Sequence, residues 1–113
     1  MGEELLAAWI MALCSWLCAV IFLAIAIYFR QKDTPAHFWS GSTVEPWEIR
    51  DIPAYNRANA RMWGIYGALW VVIGAVAFWD VAASAVLMGI VAFGGIPVLI
   101  AVYRKIYRKY QAE

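Results

Sequence analysis

Few residues in this chain could do chemistry, and their spacing decides which kind. Cys14 and Cys18 stand four apart inside an apolar run, which puts both thiols on one face of a helix. Two soft ligands make half of a tetrahedral metal set, and no histidine lies near them in the chain. They read as small apolar side chains, and a disulfide within one helical turn is not expected. His37 is the single histidine, beside Phe38 and Trp39, and reads as an interfacial side chain whose titration range would permit a pH response. Glu45, Glu48 and Asp51 share a segment with Arg50, so local pairing is the simpler account than an acid–base couple. Ser15 and Ser84 have no base at a sensible spacing. There is no metal-binding histidine pair, no phosphate-binding glycine loop and no strand–turn–helix nucleophile motif. The residues predict a protein that is not an enzyme, with no catalytic residues, no metal and no cofactor.

The elements that must position these residues are apolar. Of the 113 residues, 65% are hydrophobic and only 15% charged. So much apolar surface cannot be hidden in one small domain, and lipid removes the conflict. The net charge of +1 suggests neither a nucleic-acid binder nor an enzyme for acidic substrates. The pattern predicts an all-α integral membrane protein, a single membrane domain with three transmembrane helices at about 5–29, 62–79 and 81–103. The first is read as a retained anchor, because Glu3 and Glu4 stand where a signal peptide would be basic. The second and third form a tight hairpin around Phe78-Trp79-Asp80, and Pro97 is expected to kink the third.

Orientation follows from charge. All 9 basic residues fall in two places, the connection 30–61 and the tail 104–113. Basic residues concentrate on the cytoplasmic side, so the expectation is a multi-pass cell-membrane protein, N-terminus outside and C-terminus cytoplasmic. Trp9 and Trp79 would then mark the outer interface, and Tyr28, Phe29, Trp63, Tyr103 and Tyr107 the inner one. Trp16 and Trp70 lie deeper, where each indole N–H needs a partner.

Apolar faces gain little by meeting in lipid, so close packing calls for small residues. Ala12, Ser15 and Ala19 in the first span, Gly64, Gly67 and Gly74 in the second, and Ala85 and Gly89 in the third supply such stripes. Their three-and-four spacing predicts a compact three-helix bundle, with a homodimer as the rival use of any one stripe.

The cytoplasmic connection is where function would sit. Ser42 and Glu45 have capping-box spacing ahead of Pro46, predicting a short interfacial helix through Trp47, Glu48 and Ile49. Asp51 reads as the N-cap of a helix running through Tyr55 into the second span. Trp39, Trp47, Tyr55, Asn56 and Asn59 could line a cytoplasmic-face pocket, with Glu48, Arg50 or Asp51 setting its polarity. The alternative needs no ligand: the tryptophans anchor and the charges pair. Arg57 and Arg61, and in the tail Arg104, Lys105, Arg108 and Lys109, would meet anionic inner-leaflet headgroups of the lipid bilayer. The tail's Tyr103, Ile106, Tyr107 and Tyr110 form one helical stripe expected to emerge along that leaflet.

The runs Phe38-Trp39-Ser40-Gly41, Tyr55-Asn56-Arg57-Ala58-Asn59 and Met62-Trp63-Gly64-Ile65-Tyr66-Gly67 resemble a pattern in small uncharacterised bacterial membrane proteins of gut Firmicutes. The arrangement is also loosely similar to the membrane segment of sporulation-delay toxin immunity proteins, through Gly41, Ala58, Asn59 and Gly64. It differs in that Ser42-Thr43 follows the glycine where those proteins carry Tyr-Arg-Thr. The resemblance implies an immunity or signalling role, with no catalytic residue to carry over. The expected function is non-enzymatic: an accessory, immunity or regulatory factor acting by association with a membrane protein partner or as a homo-oligomer. The alternative is an oligomeric pore or holin-like channel. A proton-coupled transporter is not expected, because the proposed spans contain no ionisable residue.

Overall fold

The computed structural model describes residues 2–37 and 44–112, and among them every regular element is helical. Helix α1 spans Gly2–Gln31, with Glu3 and Glu4 in its first turn and Arg30 in its last. Those charges oppose the helix dipole at both ends. Its buried face is Ala8, Ala12, Ser15, Ala19, Ala26 and Phe29, a stripe of mostly small residues at steps of three, four and seven. Helix α2, Ile52–Val76, begins at Asp51, whose carboxylate accepts the Ala54 N–H at 3.1 Å. Pro53 falls in the first turn, where its missing N–H costs nothing.

These two helices run antiparallel, and the small residues set how closely they approach. Gly64 faces Ala26, Gly67 faces Leu23, and Gly74 faces the Trp16 indole. A β-carbon on residue 67 would stand 2.9 Å from Leu23 Cγ and 3.2 Å from the Leu23 backbone nitrogen. Backbone cannot step aside, so glycine is required there. Trp16 donates its indole N–H to the Val71 carbonyl at 3.1 Å, whereas Trp70 Nε1 has no hydrogen-bond partner among the described residues. Phe22 then fills the centre, its ring 4.8 Å from Tyr66 and stacked at 5.7 Å on Trp63.

A tight turn follows α2. The Trp79 N–H donates to the Val76 carbonyl at 2.9 Å, and Asp80 N–H to the same carbonyl at 3.0 Å. Asp80 then caps the next helix, accepting from the N–H groups of Ala82 at 3.0 Å and Ala83 at 3.3 Å. Helix α3 runs Val81–Tyr110. It is α-helical over Val81–Gly89, π-helical over Ile90–Gly94 and α-helical again over Gly95–Tyr110. Its contacts with α2 advance in opposite order along the two helices: Ser84 Oγ donates to the Ile73 carbonyl at 2.8 Å, the Tyr66 hydroxyl to the Val91 carbonyl at 2.9 Å, and the Tyr55 and Tyr103 hydroxyls lie 2.9 Å apart.

The irregularity in α3 lies one turn before the proline that was expected to kink it. Pro97 has no N–H to offer the Phe93 carbonyl, and an upstream turn with one extra residue is a way for a helix to absorb that loss. The widened turn is also where the Tyr66 hydroxyl reaches backbone.

Two helices, α1 and α3, are long and apolar enough to cross a membrane by length and composition. They differ in how much the bundle covers. In the most apolar window of α1, 22% of residues are buried, against 6% in α3. The large side chains Val86, Ile90, Phe93, Ile96 and Val98 all point outward.

Candidate functional site

Polar side chains converge where the start of α2 meets the end of α3. Asn56, 1% exposed, is held by the segment that follows α1. Its Oδ1 accepts the Ala36 N–H at 2.7 Å, and its Nδ2 donates to the carbonyls of Thr34 at 2.8 Å and Lys32 at 3.0 Å. An amide offers two donors and one acceptor oxygen, so a single side chain fixes the path of the chain after α1. Tyr55, fully buried, donates its one hydroxyl proton to the Ala36 carbonyl at 2.8 Å. A carbonyl can only accept, so the Tyr103 hydroxyl is the donor in the 2.9 Å Tyr55–Tyr103 pair. Asn59 Nδ2 donates to the Tyr55 carbonyl at 2.9 Å, and its buried Oδ1 has no partner among the described residues.

The tail closes this knot from the other side. The rings of Tyr103, Tyr107 and Tyr110 each lie 6.5 Å from the Tyr55 ring and nearly edge-on to it. Between Glu45 and Arg50 the chain makes a single 3-10 turn, Pro46–Glu48, closed by a reciprocal cap in which the Glu45 N–H donates to Glu48 Oε2 at 2.6 Å. The other oxygen of Glu48 accepts the Tyr107 hydroxyl at 2.9 Å. Arg50 N–H donates to the Tyr110 carbonyl at 2.8 Å, and Ala112 N–H to the Glu48 carbonyl at 2.7 Å. These bonds form a short antiparallel bridge between Ile49 and Gln111. The Arg50 guanidinium adds a bond to the Lys109 carbonyl.

Electrostatics follow from these contacts. The Glu45 N–H, and after it the Tyr107 hydroxyl, hold the Glu48 carboxyl below its ordinary range. The carboxylate in turn pushes the Tyr107 phenol up, and burial pushes the Tyr55 phenol up further. Burial, helped by Lys32, lowers His37, so its imidazole is neutral near pH 7. The Tyr55 and Tyr107 phenols are thereby held as neutral hydroxyls, suited to hydrogen bonding.

Of the residues expected to line a pocket, the described ones separate into two groups. Tyr55, Asn56 and Asn59 converge, and the Tyr55 hydroxyl and both side-chain amides bond neighbouring backbone, with Asn59 Oδ1 left unpaired among the described residues. Glu48 and Arg50 belong to the clasp on the tail, and Asp51 is spent on the α2 cap. Trp47 projects outward, 75% exposed. Trp39 lies outside the described residues, as do Ser42 and Thr43; the residue that caps the turn is Glu45, three positions after the Ser42 expected there, with Glu48 as its reciprocal partner.

Other expected residues divide in the same way. Ala12, Ser15, Ala19, Gly67 and Gly74 are buried between α1 and α2, with Gly64 half-buried beside them. Ala85 faces outward and nothing approaches within 4 Å of the place a β-carbon on residue 89 would take. Helix α3 instead buries Ser84 and Leu99, because the Ser84 hydroxyl bonds the Ile73 carbonyl and Tyr66 packs on Gly95. Arg104, Lys105, Arg108 and Lys109 are exposed, the Lys109 ammonium lying 5.4 Å from the centre of the Tyr110 ring. Arg57 and Arg61 are exposed too, and with Arg30 they line a cavity of about 390 Å³ between α1 and α2. Cys14 and Cys18 are free thiols, and no group of three potential metal ligands forms among the described residues.

Sequence reasoning missed the clasp. The tyrosine stripe was visible, and its signal was the residue type: a buried tyrosine needs a hydrogen-bond partner, which a stripe of leucines would not. Comparison with protein-family models, with curated proteins and with solved structures finds no match.

Proposed function

We propose that this chain is a three-span protein of a bacterial cytoplasmic membrane, N-terminus outside and C-terminus inside, that acts by association and not by catalysis. The observation that carries this reading is the uncovered surface of α3, an apolar helix with 6% of its most apolar window buried. Such a surface is stable only against lipid or another apolar helix. The distribution of charge supports the orientation. The end of α1, the start of α2 and the end of α3 meet at one end of the bundle, and all 9 basic residues gather there. The opposite end carries Glu3, Glu4 and Asp80.

Association fits the chemistry better than catalysis does. The buried polar groups Asn56, Tyr55 and Ser84 hold backbone in place, and the neutral phenols offer no activated nucleophile. What the clasp creates is a fixed inner face with Trp47 displayed on it, a surface another protein could read. The resemblance to immunity proteins points the same way, toward an accessory, immunity or regulatory factor.

Native mass spectrometry of the protein, extracted gently from its own host membrane, tests this reading. A second polypeptide in stoichiometric amount is the expected result. A protein that leaves the membrane under alkaline extraction would contradict the membrane setting, and one that is always monomeric and bare would contradict association.

A further inference from the structure

Arg30 at the end of α1 and Arg57 and Arg61 at the start of α2 share one cavity, whose floor includes Ala26, Ala60 and Gly64. Arg57 and Arg61 are one helical turn apart, so both guanidinium groups leave α2 on the same side, opposite Arg30. No carboxylate lines this cavity. Three positive charges around a concavity focus a field that favours an anion. Guanidinium forks match the oxygens of a phosphate in pairs, which an ammonium does not. The rest of the lining is apolar: Ala26, Ile27, Ala60 and Gly64. A β-carbon on residue 64 would meet only Ala26 Cβ, at 3.9 Å, so the groove at Gly64 is open to a slender apolar chain.

We propose that this cavity is a binding site for the phosphate of an anionic phospholipid, with the headgroup between Arg30, Arg57 and Arg61 and the start of an acyl chain lying over Gly64. Free phosphate shares the headgroup chemistry but makes no use of the apolar floor. The site differs from diffuse attraction by the tail, whose Arg104, Lys105 and Arg108 stand on another helix and do not line it. It rests on the reading that the chain spans a bilayer with this end at the inner leaflet.

The test uses the full chain in mild detergent, with native mass spectrometry counting retained phosphatidylglycerol against phosphatidylcholine, and with inorganic phosphate as a separate probe. The triple variant R30Q/R57Q/R61Q should lose phosphatidylglycerol by roughly tenfold or more, as expected for charge-assisted bonds to a phosphate. The charge-matched R104Q/K105Q/R108Q should retain it nearly as the parent does. Gly64→Leu, which fills the floor and leaves the arginines, should lose the lipid and keep any binding of inorganic phosphate. Equal losses in both charge variants, or full retention in Gly64→Leu, would overturn the proposal. So would inorganic phosphate binding with no lipid retained by the parent. If the triple variant does not fold, Arg30→Gln together with Gly64→Leu decides by the same criteria. Alkaline extraction of the membrane fraction reads the membrane setting separately, so a protein that stays in the membrane without lipid selectivity contradicts this site alone.

Discussion

The Tyr66 ring occupies the space that a β-carbon on Gly95 would need, with Cε1 2.7 Å from that position and the hydroxyl 3.1 Å from it. The same hydroxyl donates to the Val91 carbonyl at 2.9 Å, inside the π turn. Glycine at 95 is thus what lets α2 and α3 close. Gly95→Ala should destabilise the protein by about 1–3 kcal/mol through overpacking. Gly94→Ala, where nothing lies within 4 Å and the backbone is already right-handed helical, should leave stability unchanged or raise it by up to about 1 kcal/mol. Thermal unfolding in one detergent, compared between the two variants, checks the contrast.

Asn56 ties the chain after α1 to the first turn of α2. Replacing it by alanine leaves the carbonyls of Lys32 and Thr34 and the Ala36 N–H without their side-chain partner. The expected loss is about 1–3 kcal/mol, the cost of stranding the buried Ala36 N–H and weakening two part-buried carbonyl bonds. Asn56→Asp should also destabilise, since it sets an acceptor against two carbonyls. Hydrogen exchange over residues 32–37 should rise in both variants while exchange in the middle of α1 stays slow.

The helices and their polarity were legible because they rest on runs and periods. The Asp51 cap, the Asp80 turn and the small residues between α1 and α2 follow from residue type at a fixed spacing. What could not be read depends on pairs distant in the chain. Nothing local to Tyr107 names Glu48, and nothing local to Arg50 names the carbonyls of Lys109 and Tyr110. Within this chain the packed face of α3 is a different one, for a related reason. Ala85 and Gly89 have the right spacing to pack, but Tyr66 selects Gly95, and Ser84 finds the Ile73 carbonyl. Small residues mark where helices can approach, and large polar ones decide where they do.

The clasp carries a pH dependence whose sign follows from Glu48. Its carboxyl is held below the ordinary value of 4.5 by the Glu45 N–H and then by the Tyr107 hydroxyl. A group with a depressed folded pKa contributes stability that is present above its ordinary value and is lost as pH falls through the folded one. The clasp should therefore be intact at pH 7 and still intact near 4.5, opening only in stronger acid. Amide exchange at Ala112, which bonds the Glu48 carbonyl, reports it. Glu48→Gln should remove the acid transition and raise exchange at Glu45, whose N–H loses its carboxylate partner. An unchanged transition in that variant would assign the titration elsewhere.

Reconstituted vesicles should stay tight to ions. The outward faces of α1 and α3 are apolar, with Leu13, Leu17 and Val20 on one and Val86, Ile90 and Phe93 on the other. The polar Asn56, Asn59 and Ser84 lie inside the bundle. A helix ring built on those faces would have no polar lining for water. Dye and ion leakage measured against protein density checks this, and leakage rising steeply with density would favour an oligomeric pore instead.

The central claim, a chain crossing the membrane three times with its clasped end inside, is tested most directly by thiol labelling in intact cells. In a chain carrying Cys14→Ala and Cys18→Ala, single cysteines at Trp79 in the exposed turn and at Gln111 in the tail are probed with a membrane-impermeant reagent. The account predicts labelling of the Trp79 position in intact cells, and of the Gln111 position only after permeabilisation. Labelling of both in intact cells, or the reverse pattern, would contradict it.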